Sequence, residues 1–143
     1  HVVCRRQRQM CIRDRATRAL GGNHPELSSS FPLGQPVLVP GDMGTASWVM
    51  AGPVNGANDA FSSSCHGAGR RLSRTAAKAS VDSELLISEL EEKGIHIRAK
   101  TPNVLSEEAP EAYKDVDEVI SLTNRAGLAR PVARMRPVSV IKG

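Results

Sequence analysis

Apolar positions in this chain come in short bursts, and the period of each burst decides what it can become. In GQPVLVPGDMGTASWVMAG, Val37, Leu38 and Val39 predict a buried strand bounded by Pro36 and Pro40. The PGDMG that follows reads as a tight turn, and ASWVMAG as a second short strand. The string SSSCHGAGRRLSRTAAKAS passes from small turn residues to a helix-like run after Gly69. VDSELLISELEEKG predicts a helix: Asp82 can cap its start, Leu86, Ile87 and Leu90 share a face, and Gly94 stands where a terminating glycine belongs. IHIRAK alternates as a strand does. A third helix is predicted between Asp115 and Gly127, with Asp115 and Glu118 as a capping box and Val116, Ile120 and Leu122 as its apolar face. LARPVARMRPVSVIKG is a valine-rich strand region in which Pro131 and Pro137 demand edge or bulged positions. GGNHPELSSS reads as loop. Short strands mixed with about three helices, without repeats or sustained heptads, predict an α+β domain.

Length and composition narrow this reading. A chain of 143 residues suffices for one domain, and folding at this size buries ~68–70% of the unfolded surface. Aromatic residues make up only 3%, namely Phe31, Trp48, Phe61 and Tyr113. The core must then rest on aliphatic side chains, and platforms for stacking single-stranded bases are scarce. No apolar run approaches the ~20 residues of a membrane span. The basic N-terminus lacks an apolar segment behind it, so no signal peptide is expected. Three cysteines, odd in number and unevenly spaced, do not make a disulfide framework, which points to a reducing, cytoplasmic setting.

Charge changes the picture in an unexpected way. The net charge is +4 and the pI about 9.3, an invitation to nucleic acid. Yet Arg5, Arg6, Arg8, Arg13 and Arg15 against Asp14 account for all of it, and the rest of the chain sums to zero. The status of CRRQRQMCIRDR therefore decides whether the charge says anything about a partner.

Candidate chemistry concentrates in SSSCHGAGRRLSR. His66 precedes two glycines and a predicted helix start, with Arg70, Arg71 and Arg74 beyond. Such a segment can cradle an anion on backbone N–H groups, and a histidine at its mouth can act as base, nucleophile or metal ligand. On the motif alone the plainer reading leads: a turn histidine with two connecting glycines. An esterase-like oxyanion string is set aside because no G-x-S-x-G elbow exists. Cys65 reads as a small buried thiol, and His24 and His96 lack metal-ligand spacing. The three arginines suit either a solvated face or phosphate contact, with phosphate contact slightly preferred.

Taken together, GQPVLVPGDMGTASWVMAG, the spacing from Pro40 to His66, CHGAGRRLSR, EEAPEAYKDVDEVI, AGLARPVARMRPVSVIKG and the early ATRA resemble the RtcB-type RNA-splicing ligase family. The resemblance runs from Ala16 to Gly143 and implies the C-terminal, guanylate-binding part of a longer RtcB-like fold. It implies a GTP- and manganese-dependent ligase that joins RNA 2′,3′-cyclic phosphate or 3′-phosphate ends to 5′-hydroxyl ends. By motif position His66 would be the nucleophile, forming a histidyl-GMP intermediate. Pro40, Gly41, Asp42 and Met43, with His66, Gly67, Ala68 and Gly69, would line the nucleotide site, and Ser47 and Lys142 would contact the guanine. A lysine donor suits the guanine O6 acceptor and a serine hydroxyl suits the ring.

Two departures from the family pattern stand out. The family turn reads P-G-S-M-G, whereas Asp42 replaces the serine here; its carboxylate would either repel a nucleotide phosphate or point into solvent. The family string H-R-K-G-A-T-R-A supplies a manganese ligand, but here IRDR precedes ATRA and puts Ile12 at the histidine position. No metal ligand is assigned, and the chain is expected to be an incomplete piece, inactive alone. The alternatives are a non-enzymatic guanine-nucleotide or RNA-binding remnant, or an interaction domain without a nucleotide site. Residues 4–15 fit nothing in the family, show no apolar period and resemble translated adapter sequence, so residues 1–15 are set apart from a domain at 16–143.

Overall fold

The computed structural model describes residues 16–27, 29–54 and 62–142. The basic opening stretch, including Ile12, and the aromatic residue Phe61 lie outside the described residues. In order, the elements are β1 (Ala16–Arg18), β2 (Pro36–Val39), β3 (Ser47–Ala51), β4 (Ser63–Cys65), α1 (Arg74–Ser80), α2 (Ser83–Glu92), β5 (His96–Ala99), α3 (Pro102–Glu107), a 3₁₀ turn (Pro110–Ala112), α4 (Val116–Arg125), β6 (Arg130–Met135) and β7 (Ser139–Lys142). The class is α+β, as the sequence predicts.

Alternation builds the first region. Val37 and Val39 are buried while Leu38 faces out, the period of a strand with one covered face. Strand β3 pairs antiparallel with β2 and with β6, giving the order β2-β3-β6. Pro131 thus lies on an edge strand, and the register shifts opposite it, between Val49 and Met50, as a proline lacking an N–H requires. Helix α4 covers the sheet, burying Val116 and Ile120 with Val37, Val39 and Met50. Its Asp117 accepts from Trp48 Nε1 of β3 at 2.7 Å and pairs with Arg134 of β6 at 2.9 Å. Arg134 first, then the Trp48 bond, holds the Asp117 carboxyl below the ordinary carboxylate range.

The second region is helical, with a parallel β5-β7 pair. Asp82 caps α2 by accepting from the N–H groups of Glu84 and Leu85. Leu86 and Leu90 then face inward to join Met43, Ile95, Leu105 and Ala109 in a core separate from the first.

Several details differ from the sequence reading. Asp115 accepts from the N–H of Asp117, two residues on, which replaces the expected bond across to Glu118. Leu122 is 51% exposed, because residues two apart lie on opposite sides of a helix. Thr123 takes the inward position, with its hydroxyl in reach of Val119 O and Cys65 Sγ. Ser63–Cys65 is not a turn but a strand, paired with Ala16–Arg18. Helix α3 was not foreseen at all.

Candidate functional site

The PGDMG turn is built by close approach and by one carboxylate. A side chain at position 41 would stand 2.0 Å from the carbonyl of Ala46, so only glycine fits. Asp42 turns back on its own loop: Oδ1 accepts from the N–H groups of Gly44 at 2.8 Å and Thr45 at 2.9 Å, and Oδ2 from Thr45 Oγ1 at 2.8 Å. The carboxylate is thus held within its own turn and not released into solvent, since short polar side chains at turns capture nearby backbone donors. Ser47 Oγ accepts from the N–H of Gly41 at 3.3 Å, so its own proton remains available to another acceptor.

Pro40, Gly41, Asp42, Met43 and Ser47 line one cleft of about 320 Å³, and Lys142 at the end of β7 lines the same cleft. Residues 40 and 142 are brought together because β7 pairs with β5 over the second core while the turn projects from the first sheet. The cleft therefore sits at the seam of the two regions. His66 is exposed and does not line it. Its loop is nevertheless tied to the cleft wall: the N–H of Ala68 donates to Pro40 O at 3.1 Å, and a side chain at position 67 would meet that oxygen at 3.3 Å. Gly69 accepts from the N–H of Lys114 at 2.9 Å.

Sequence reasoning missed the Glu108 and Tyr113 side chains of the cleft, along with Pro137 and the β7 residues Ser139, Val140 and Ile141. Oε1 of Glu108 faces Arg70 at 3.2 Å and Arg74 at 3.6 Å, and Oε2 accepts a hydrogen bond from the Tyr113 hydroxyl and lies 4.0 Å from Lys142 Nζ. Arg70 also donates to the Tyr113 oxygen at 3.0 Å and packs over the ring, 4.9 Å from its centre. Burial, then the hydrogen bond and charge of Glu108, pushes the Tyr113 phenol up, with the Arg70 contacts opposing. Arg70 is thus engaged within the fold, whereas Arg71 and Arg74 remain exposed. The signal for Glu108 and Tyr113 was present in EEAPEAYKDV but carried no local periodicity to mark a role.

His24 accepts from the N–H of Glu26 at 3.2 Å, a satisfied loop histidine, and His96 is exposed. Cys65 is partly buried against the first core. Among the described residues no group of three or more His, Cys, Asp or Glu side chains is placed to hold a metal ion, and no helix is long and apolar enough to cross a membrane.

The family described as tRNA-splicing ligase RtcB matches residues 1–143. The chain belongs to the RtcB family. It is 50% identical over 129 residues to the tRNA-splicing ligase RtcB of Thermococcus kodakarensis, an alignment covering 90% of this chain and 27% of that protein. It is 43% identical over 145 residues to the tRNA-splicing ligase RtcB of Archaeoglobus fulgidus, covering 100% of this chain and 30% of that protein. The chain thus spans less than a third of the length of either RtcB relative.

Proposed function

We propose that the seam cleft is the guanine-nucleotide site of an RtcB-type RNA ligase and that His66 is its nucleophile. One observation carries the reading: the Pro40 turn, Ser47 and Lys142, far apart in sequence, converge on one cleft, and the His66 loop is hydrogen-bonded to that turn. Lys142 supplies a charged donor for the purine 6-oxo group, and Ser47 a hydroxyl proton for a ring acceptor. On this reading the loop of residues 66–69, tied to the cleft wall through Ala68, would lie beside the phosphates. His66 then attacks the α-phosphorus of GTP with a ring nitrogen. An N–P bond forms, the P–O bond to pyrophosphate breaks, and the imidazolium proton passes to solvent. Passing GMP to an RNA 3′-phosphate breaks that N–P bond, and a 5′-hydroxyl displaces GMP to seal the strand. The substrate class on this reading is RNA with 5′-hydroxyl and 3′-phosphate ends, or with 2′,3′-cyclic phosphate ends that water first opens to the 3′-phosphate, in a cytoplasmic setting.

Manganese, which the family resemblance implies, finds no donor set among the described residues. The proposal for this chain alone is therefore limited to nucleotide binding, and the His66 step is assigned to the site once metal donors complete it. The same observation favours a second reading, a nucleotide-binding remnant without ligase activity. Residues 16–143 are assigned to the site and the opening stretch is kept apart from it. Radiolabelled GTP with manganese separates the readings: the chain alone is expected to bind GTP without retaining label after denaturation. A covalent adduct lost in His66→Ala would establish the chemical step in this chain. No GTP binding at all would defeat both readings.

A further inference from the structure

Each carboxylate oxygen of Glu108 faces two donors, Arg70 and Arg74 at one, Tyr113 and Lys142 at the other. Glu108 accepts hydrogen bonds from Arg70 and Tyr113, and Arg74 and Lys142 stand beyond hydrogen-bond distance as ion partners, so four groups of the fold face its charge although it lines the cleft. Its side chain is only 20% exposed, while Lys142 is the member of the cluster that ends a strand at the cleft wall. The ammonium of Lys142 is a pure donor on a flexible stem. Left free it would serve any acceptor in reach, but the Glu108 carboxylate 4.0 Å away draws its charge toward one side of the cleft. A donor drawn there favours a purine carrying oxygen at position 6 and disfavours one carrying an amino group.

We infer that Glu108 is the positioning residue that sets the cleft's preference for 6-oxopurine over 6-aminopurine nucleotides. This deepens the nucleotide reading above and rests on it. Glu107, the preceding residue, serves as an internal control. It pairs with Lys78 at 2.9 Å, away from the cleft, and does not line it. Neutralising either glutamate removes the same charge and strengthens the binding of any triphosphate by general electrostatics. Only the ratio of GTP to ATP affinity distinguishes positioning from charge.

The test measures fluorescent GTP and ATP analogues binding to the full 143-residue chain and to its variants. The unaltered chain is expected to prefer GTP. Glu107→Gln should keep that ratio within about twofold, while Glu108→Gln should lower it about tenfold. Glu108→Asp keeps the charge but withdraws it from Lys142, and should lose part of the ratio. An unchanged ratio in Glu108→Gln overturns the inference and leaves the nucleotide reading standing, as does equal affinity of the unaltered chain for both nucleotides. If Glu108→Gln does not fold, an Asp variant with the ratio of the unaltered chain overturns it. Failure of the unaltered chain to bind GTP overturns the nucleotide reading and this inference with it.

Discussion

Two carboxylates gather most of the charged contacts described here, and they sit in different regions to different effect. Asp117 joins helix α4 to the β3–β6 pair through Trp48 and a two-toothed contact with Arg134. Glu108 lies between α3 and the 3₁₀ turn, takes four partners and forms part of a cleft wall. The partner chemistry is similar in both clusters, since arginine and an aromatic donor meet a carboxylate in each. What separates them is the seam: Asp117 belongs wholly to one core, whereas Glu108 holds groups from segments around residues 70, 113 and 142 at the boundary of two. A charged cluster within one packed unit stabilises it. A cluster at the boundary between units can also shape a site.

Core deletions should break this comparison hardest. Leu90 is fully buried in the second core, and its Cδ2 approaches the PGDMG turn at Gly44. Met50 is equally buried in the first. Either residue changed to alanine should cost ~2–5 kcal/mol in urea unfolding. Only Leu90→Ala should also weaken GTP binding at temperatures where the variant remains folded. Equal loss of binding in both would mean that the two regions act as one unit.

Lys142→Ala should come next. Removing a charged donor from the cleft is expected to weaken GTP binding about tenfold, with the thermal midpoint nearly unchanged because the side chain is partly exposed. A large fall in the midpoint would make Lys142 a structural residue and place the Glu108 cluster in the same category as that of Asp117.

How much of this was legible beforehand follows the same division. Features set by local periodicity were readable: the Val37–Val39 strand, the Asp82 cap, and the bulge that Pro131 requires. Features set by pairing across sequence were not. Glu108 contacts Arg70 across 38 residues and Tyr113 across 5, and no window on the sequence joins all three. Arg70 consequently read as suited to a solvated face or to phosphate, with no sign of its contacts to Glu108 and Tyr113. Leu122 misled for the opposite reason, since a leucine near other apolar residues suggests burial until the helical phase is counted. Strands β1 and β4 are three residues each, and the serines of β4 made composition alone point to a turn there. The cleft residues Pro40–Met43, Ser47 and Lys142 became readable through the family resemblance, not through period or charge.

The Asp117 cluster offers a pH test. Its carboxyl is held below the ordinary range chiefly by Arg134, so its stabilisation is present above the unfolded-state value near 3.9. It is lost as pH falls through the lower folded value. Asp117→Asn should lower the thermal midpoint at neutral pH by less than either core deletion, and the two midpoint curves should converge in acid. A constant gap across that range would assign the effect to the Trp48 bond alone.

The smallest effect should come from Asp42→Ser, which restores the family turn. Serine can accept from one of the backbone donors that Asp42 now holds, so the stability change should stay near or below about 1 kcal/mol. The effect on nucleotide affinity is the sharper measurement. A carboxylate aimed at a bound phosphate would be strongly repulsive, and its removal would raise GTP affinity by about tenfold or more. Because all three contacts of Asp42 lie within its own turn, the expected rise is less than about threefold and should fade with added salt. A large, salt-resistant gain would show that the turn reopens when nucleotide arrives and that Asp42 faces the phosphates in the bound state. A small one leaves Asp42 with the role that Asp117 has, a carboxylate that shapes the fold and never meets the ligand.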